Sequence, residues 1–291
     1  MKNLKNFIEK HTQKINKITL SNFALKSSGQ TVQRINNTED WDQYLLNSHL
    51  VGPSGTHSRE NILKKVERFV DKQKRGETDK YKLNLPTLEC REILDMIEKI
   101  CGISNDFEYT ERHEWVSLEV FKKAMLHATE IVMQVMQKSG KILIATGYSQ
   151  SLLTTYTYIA KCLEKQGADI NSPSIYSVYS AEKGQWFGGI CGDTTVFKST
   201  CVKYAHYDHI LYETILEKGG RPDLVIGDHG MAGAAIRAGI PTVVILDIDD
   251  IEFIATSCIY GDRVFPIPMH KSAGINSNIA LAHYFEHLIL L

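Results

Sequence analysis

Ile226-Gly227-Asp228-His229-Gly230 sets an acid beside an imidazole directly after the apolar residues Leu224, Val225 and Ile226. An acid beside an imidazole at a strand end suits ligand contact, metal binding or acid–base work, whereas Asp228 in a plainer role would only cap the following helix. Further along, Asp247, Asp249 and Asp250 place three carboxylates within four residues, with Glu252 close behind. Such a group can bind a hard divalent cation, activate a water or bond a ribose diol; Asp250 as an N-cap is the bland alternative. Thr146-Gly147-Tyr148-Ser149-Gln150-Ser151 puts a glycine and hydroxyl side chains ahead of a helical pattern, where unpaired amides suit a phosphate or carboxylate and Ser149 or Ser151 can alternatively cap. His206 and Asp208, two apart with His209 next, share one side of an extended segment and can share a metal. The expected site therefore has Asp228, His229 and Asp250 as catalytic groups, Thr146, Gly147, Tyr148, Ser149, Gln150, Ser151 and Gly230 around the substrate, and His206, Asp208, Asp228 and Asp247 on Mg, Mn or Zn.

These residues need elements to bring them together. From Lys141 onward, short apolar runs ("ILIA", "LVIG", "VVIL") alternate with helical patterns, which predicts a doubly wound, mainly parallel α/β sheet of Rossmann-like class. In such sheets ligands bind outside the carboxyl ends of the strands, where the strand order reverses. The loops after "ILIAT", "LVIG" and "VVIL" all qualify. Gly233, Ala234 and Ala235 are expected to let a helix approach the sheet closely. The stretch "EKGQWFGGICGD" predicts a β-hairpin or, alternatively, a lid over a pocket.

The first half has a different texture. Ser58 as N-cap with Ile62, Leu63, Val66, Phe69 and Val70 predicts an amphipathic helix before Gly76; a second is expected over about 87–101 and a third from Ser117 to about Lys138. The basic face of the first is expected to be solvated. Residues 26–40 and 72–86 are polar and predict loops or a linker. The expectation is a helical region over 1–139 and an α/β domain over 140–291, or one continuous domain across both.

With 33 basic and 34 acidic residues in a 291-residue chain, the net charge of −1 draws neither nucleic acid nor an anionic membrane. No apolar run is long enough to cross a bilayer, so a cytoplasmic protein is expected. The six cysteines form no C-x-x-C pair, which suits reduced core thiols; Cys191 and Cys201, flanking the expected hairpin, are the pair to watch. P-loop, G-x-G-x-x-G, G-x-S-x-G and H-E-x-x-H motifs are all missing.

"SRENILKKVERFVDKQKRG", "ILIATGYSQSLL" and "PDLVIGDHGMAGAAIRAGIPTVVILDIDD" resemble a bacterial family, common in actinobacteria, whose members are labelled phosphatase. Its Ala-Thr-Gly-His-Pro is similar to Ala145-Thr146-Gly147-Tyr148-Ser149, without the histidine; its His-x-His falls near His206-Tyr207-Asp208; its Asp-His-Gly matches Asp228-His229-Gly230; and its Asp-x-Asn-Asp-Pro resembles Asp247-Ile248-Asp249-Asp250-Ile251. Its Pro-Leu-Asp-Asp is replaced here by Pro268-Met269-His270-Lys271. The Thr-Gly and Gly-Asp-x-Gly loops also resemble, more distantly, the D-glutamate cyclase domain. The resemblance implies a phosphatase-like, metal-assisted hydrolase of a small phosphorylated or carboxylate substrate. A cyclase-like lyase, or a non-catalytic sensor of a nucleotide or sugar phosphate using the helical half to dimerise, are the alternatives.

Overall fold

Apolar residues at successive positions fix the centre of the molecule, because a strand buried on both faces has no polar side to show. In a computed structural model that describes residues 38–109, 113–170, 177–180, 185–189, 194–199, 212–213, 216–217 and 220–291, β3 (Lys141–Thr146) is buried at all but its first position, and β8 (Leu224–Gly227) and β9 (Thr242–Leu246) at every one. The order β10-β9-β8-β3-β7 runs parallel throughout, with β10 spanning Val264–Pro268 and β7 spanning Thr194–Ser199. This is the doubly wound α/β fold expected from the strand–helix alternation. Pro266 and Pro268 sit on β10, which ends the path, where a missing N–H costs nothing.

Beyond β7 the sheet turns antiparallel through β6 (Gln185–Gly189) and β5 (Ser177–Ser180). The glycine-rich stretch thus contributes a paired strand. A short strand β4 (Asp169–Ile170) pairs with β3 ahead of β7. The chain leaves β3 toward β7 and returns to β8 on β3's other side, so the reversal falls between β3 and β8.

The expected helices form where their caps predict. Helix α2 (Arg59–Lys74) starts where the Ser58 hydroxyl accepts the Asn61 amide at 3.2 Å, while α1 (Thr38–Asn47) is not among the expected helices and takes in the end of the stretch 26–40 expected as a loop or linker. Helix α3 (Cys90–Cys101) begins three residues later than the periodicity suggested, because Glu89 and Glu92 close a capping box there and leave Leu88 outside. It stops at Gly102 with φ 75°, where any Cβ would come within 2.6 Å of the Ser117 Cβ. Ser117 in turn caps α4 (Leu118–Gln137). Helix α3 packs on α7 (Ile251–Ile259), while α4 packs on β10 and on α8 (Ile275–Leu290), and α8 packs on α5 (Ser149–Lys165).

Ala234 and Ala235 of α6 (His229–Arg237) join Leu143, Ala145 and Val225 in one buried cluster, as close helix–sheet packing requires. Gly233 serves a different neighbour: a Cβ there would meet the Tyr81 side chain at 3.1 Å. Contacts gather residues 42–291 into one compact unit. Among the described residues no helix is long and apolar enough to cross a membrane. Cys191 and Cys201 lie outside the described residues; Cys101 and Cys162 are buried free thiols, and Cys90 and Cys258 are free and half-buried.

Candidate active site

The register of the parallel strands brings the expected loops to one edge. Ala145 pairs with Gly227, Gly227 with Val244, and Leu246 with Pro268, so Thr146, Asp228, Asp247 and Met269 all follow at the carboxyl ends. Asp228 occupies the N-cap position of α6 but makes no capping bond. Its Oδ2 accepts the Thr146 hydroxyl at 2.5 Å, and its Oδ1 accepts the Gly147 amide at 2.9 Å, tying β8 to β3 across the reversal. His229 Nδ1 donates to the same Oδ1 at 2.8 Å, since an ionised carboxylate only accepts; this turns Nε2 to the opposite side of the ring. Burial would push the Asp228 carboxyl up, but the hydrogen bond and charge of His229, with Lys271 and Thr146, hold it below its usual value. His229 carries φ 45°, a left-handed backbone that an ordinary side chain avoids and that functional sites retain.

A second set of charges follows β9. Asp250 also sits at an N-cap position without capping; its Oδ2 instead accepts the Asp247 amide at 2.9 Å and the Lys271 ammonium. Lys80 stands 3.8 Å from Asp250 Oδ1 and 3.4 Å from Glu252 Oε2. Against the cost of burial, Lys271, Lys80 and His229 hold the Asp250 carboxyl well below its ordinary value. Burial would likewise pull the Lys271 ammonium down, but the charges of Asp250, Asp228 and Asp247 drive it up. Lys271 therefore lies among all three buried aspartates, whose residues are 0, 2 and 4 % exposed for Asp228, Asp247 and Asp250. Its carbonyl accepts Asn278 Nδ2 at 2.9 Å and the Ser151 hydroxyl at 3.3 Å, which anchors the short 3-10 turn Lys271–Ala273 to α8 and α5.

His57 reaches the same edge from the first half of the chain. Its Nε2 is 3.5 Å from Asp247 Oδ1 and 3.8 Å from Asp249 Oδ1, yet neither ring nitrogen makes a hydrogen bond, and Asp247 Oδ2 likewise accepts none. Burial alone would lower the His57 pKa, but Asp247 and Asp249 raise it above the ordinary value. The segment is held in place from several sides. Strands β1 (Gly52–Pro53) and β2 (Trp115–Val116) pair, the Ser54 amide donates to Glu114 O at 2.5 Å, and the Glu114 amide donates to His57 O at 3.2 Å. The Ser54 hydroxyl accepts the amides of Thr56 and His57. His270 Nε2 donates to Gly52 O at 2.8 Å, and a buried Arg59–Glu114 ion pair of 3.1 Å underlies the turn.

Among the described residues, one donor atom each from His57, Asp247 and Asp249 lies within 4.8 Å of the others. An imidazole nitrogen with two carboxylate oxygens suits Mn or Zn, and the hydrogen-bond vacancies on His57 and Asp247 fit a cation as third partner. Lys65 bonds Asp249 Oδ2 from α2.

Of the expected site residues, Thr146, Gly147, Asp228, His229, Asp247 and Asp250 come together. Tyr148 lies 5.6 Å from the His229 ring, centroid to centroid, and Gly230 opens α6 beside it. Ser149 and Gln150 form the first turn of α5, and Ser151 is buried. The Gly147 and Tyr148 amides are engaged by Asp228 and by the Thr146 hydroxyl at 2.8 Å. His206, Asp208 and His209 lie outside the described residues. Asp228 gives its oxygens to the β3 loop and His229 and is not in the His57 group. Sequence reasoning missed His57, Lys65, Lys80 and Lys271. The turn-forming run Pro53-Ser54-Gly55-Thr56-His57 ahead of a capped helix was the available signal for the first.

A family model described as Phosphatase matches residues 36–269 of the chain. No curated protein matches it.

Proposed function

The chain belongs to this Phosphatase family, and from that premise we propose that it hydrolyses small phosphomonoesters with the help of a divalent metal, at the carboxyl ends of β3, β8 and β9. The observation that carries the proposal is the His57–Asp247–Asp249 group, in which the His57 ring nitrogens and Asp247 Oδ2 lack a hydrogen bond, set in the same charge cluster as the strained Asp228–His229 pair. A divalent ion on His57, Asp247 and Asp249 would supply positive charge against the phosphoryl oxygens. His229, its Nδ1 proton held by Asp228, takes the proton of the attacking water as the new O–P bond forms, then returns it to the alcohol oxygen as the ester P–O bond breaks. Lys271 keeps the carboxylates from repelling one another, and the one-third exposed Lys80 faces the site from its rim. Products are the alcohol and inorganic phosphate.

Asp228→Asn preserves shape while removing the carboxylate that holds the His229 Nδ1 proton. Phosphate release from a panel of phosphomonoesters is expected to fall by about a hundredfold or more, with the metal-loaded chain still folded by circular dichroism. Unchanged release in this variant would reject the catalytic assignment of the pair. The resemblance of the Thr146-Gly147 and Gly227-Asp228 loops to the D-glutamate cyclase domain makes a carboxylate substrate the second reading. Turnover of an amino acid without phosphate release would favour it. A chain that takes up no metal yet is stabilised by a nucleotide would instead be a sensor.

A further inference from the structure

Three lysines meet the strand-end carboxylates, and they are held differently. Lys271 is 3 % exposed and fixed on Asp250, and Lys80 is shared between Asp250 and Glu252. Lys65 projects from the polar face of α2 with its side chain 34 % exposed, and its ammonium holds Asp249, whose side chain is 24 % exposed. Asp249 is also a donor in the His57 group. That this group takes a ligand has independent support: the Asp247 side chain is 3 % exposed and its Oδ2 accepts no hydrogen bond, and both His57 ring nitrogens lack one. An ammonium and a divalent cation on one carboxylate repel each other within a few ångströms, where screening by salt is weak. A long, partly solvated lysine stem can swing aside at little cost.

We propose that Lys65 is a counter-cation that neutralises Asp249 in the metal-free protein, and that divalent-metal binding releases it to contact the substrate phosphate. This rests on the metal-assisted reading above and adds to it a residue from the helical half of the chain. Metal and phosphate then bind with positive coupling, because the ion frees the charge that the phosphate uses.

The test uses the EDTA-treated full-length protein, native and as Lys65→Met and Lys65→Arg. Mn2+ affinity is read from the electron paramagnetic resonance signal of free ion, and inorganic phosphate affinity by calorimetry on the Mn2+-loaded forms. Lys65→Met is expected to bind Mn2+ about threefold to fivefold more tightly, the worth of a partly exposed ion pair. It is expected to bind phosphate about tenfold more weakly, while Lys65→Arg stays near native in both. Should methionine disturb α2, Lys65→Gln carries the same measurement. Equal or weaker Mn2+ binding by Lys65→Met, or unchanged phosphate affinity, would overturn the role of Lys65 and leave the metal site standing. Failure of the native chain to bind Mn2+ would remove both.

Discussion

A buried aspartate is tolerated when every oxygen has a reason to be there, and Asp228 meets that condition through Thr146, Gly147 and His229. Its position before α6 matches an N-cap, and only the direction of its side chain separates the two roles. Histidines show the opposite economy. His270 and His283 are lowered by burial, the latter bonded through Nδ1 to the Tyr44 hydroxyl at 2.7 Å, so the folded chain keeps both neutral below the ordinary value of 6.5. The unfolded chain protonates there first. Their contribution is therefore present above pH 6.5 and lost as pH falls below it, while His57, raised by its aspartates, works the other way. The thermal midpoint in EDTA is expected to drop between about pH 7 and pH 5, less steeply in His283→Gln. A midpoint that rises on acidification, or an unchanged slope in the variant, would contradict this assignment.

At the scale of elements, the site depends on how the turn before α2 is held over the ends of β9 and β10. Arg59 donates to Glu114 at 3.1 Å and to Asp106 O at 2.7 Å, both side chains being almost fully buried. Burial raises the Glu114 pKa, and Arg59 opposes that rise. Glu114→Ala keeps the backbone bonds to Ser54 and His57 but strands a buried guanidinium. Urea unfolding is expected to show a loss of about 3 kcal/mol, together with weaker Mn2+ binding as His57 loses its support. A loss within experimental error and unaltered Mn2+ binding would mean that the turn holds without the pair. The elements themselves were legible: Ser58 and Ser117 cap the helices they announce, and unbroken apolar runs mark β3, β8 and β9. What the sequence hid was pairing across distance. Lys65 belongs to a helix face that looks merely solvated, and its use emerges only when Asp249, far along the chain, is brought beside it.

At the scale of the whole molecule, the proposed site lies where a parallel sheet reverses its order, and two parts of the chain supply its residues. The strands β3, β8 and β9 deliver Thr146, Asp228 and the Asp247–Asp250 group by register alone, so those were open to reading from strand ends. The first half contributes His57, Lys65 and Lys80, residues whose role depends on docking that no local pattern encodes. The family match, spanning residues 36–269, takes in both halves. The most direct test is phosphate release from a phosphomonoester by the EDTA-treated protein as Mn2+ is titrated in, for the native chain and for His57→Ala. Expected is saturable Mn2+ dependence, with the variant needing more than about a hundredfold more Mn2+ while its thermal midpoint in EDTA stays near native. Release that ignores EDTA, or a His57→Ala titration that superimposes on the native curve, would contradict a metal-assisted site at these strand ends.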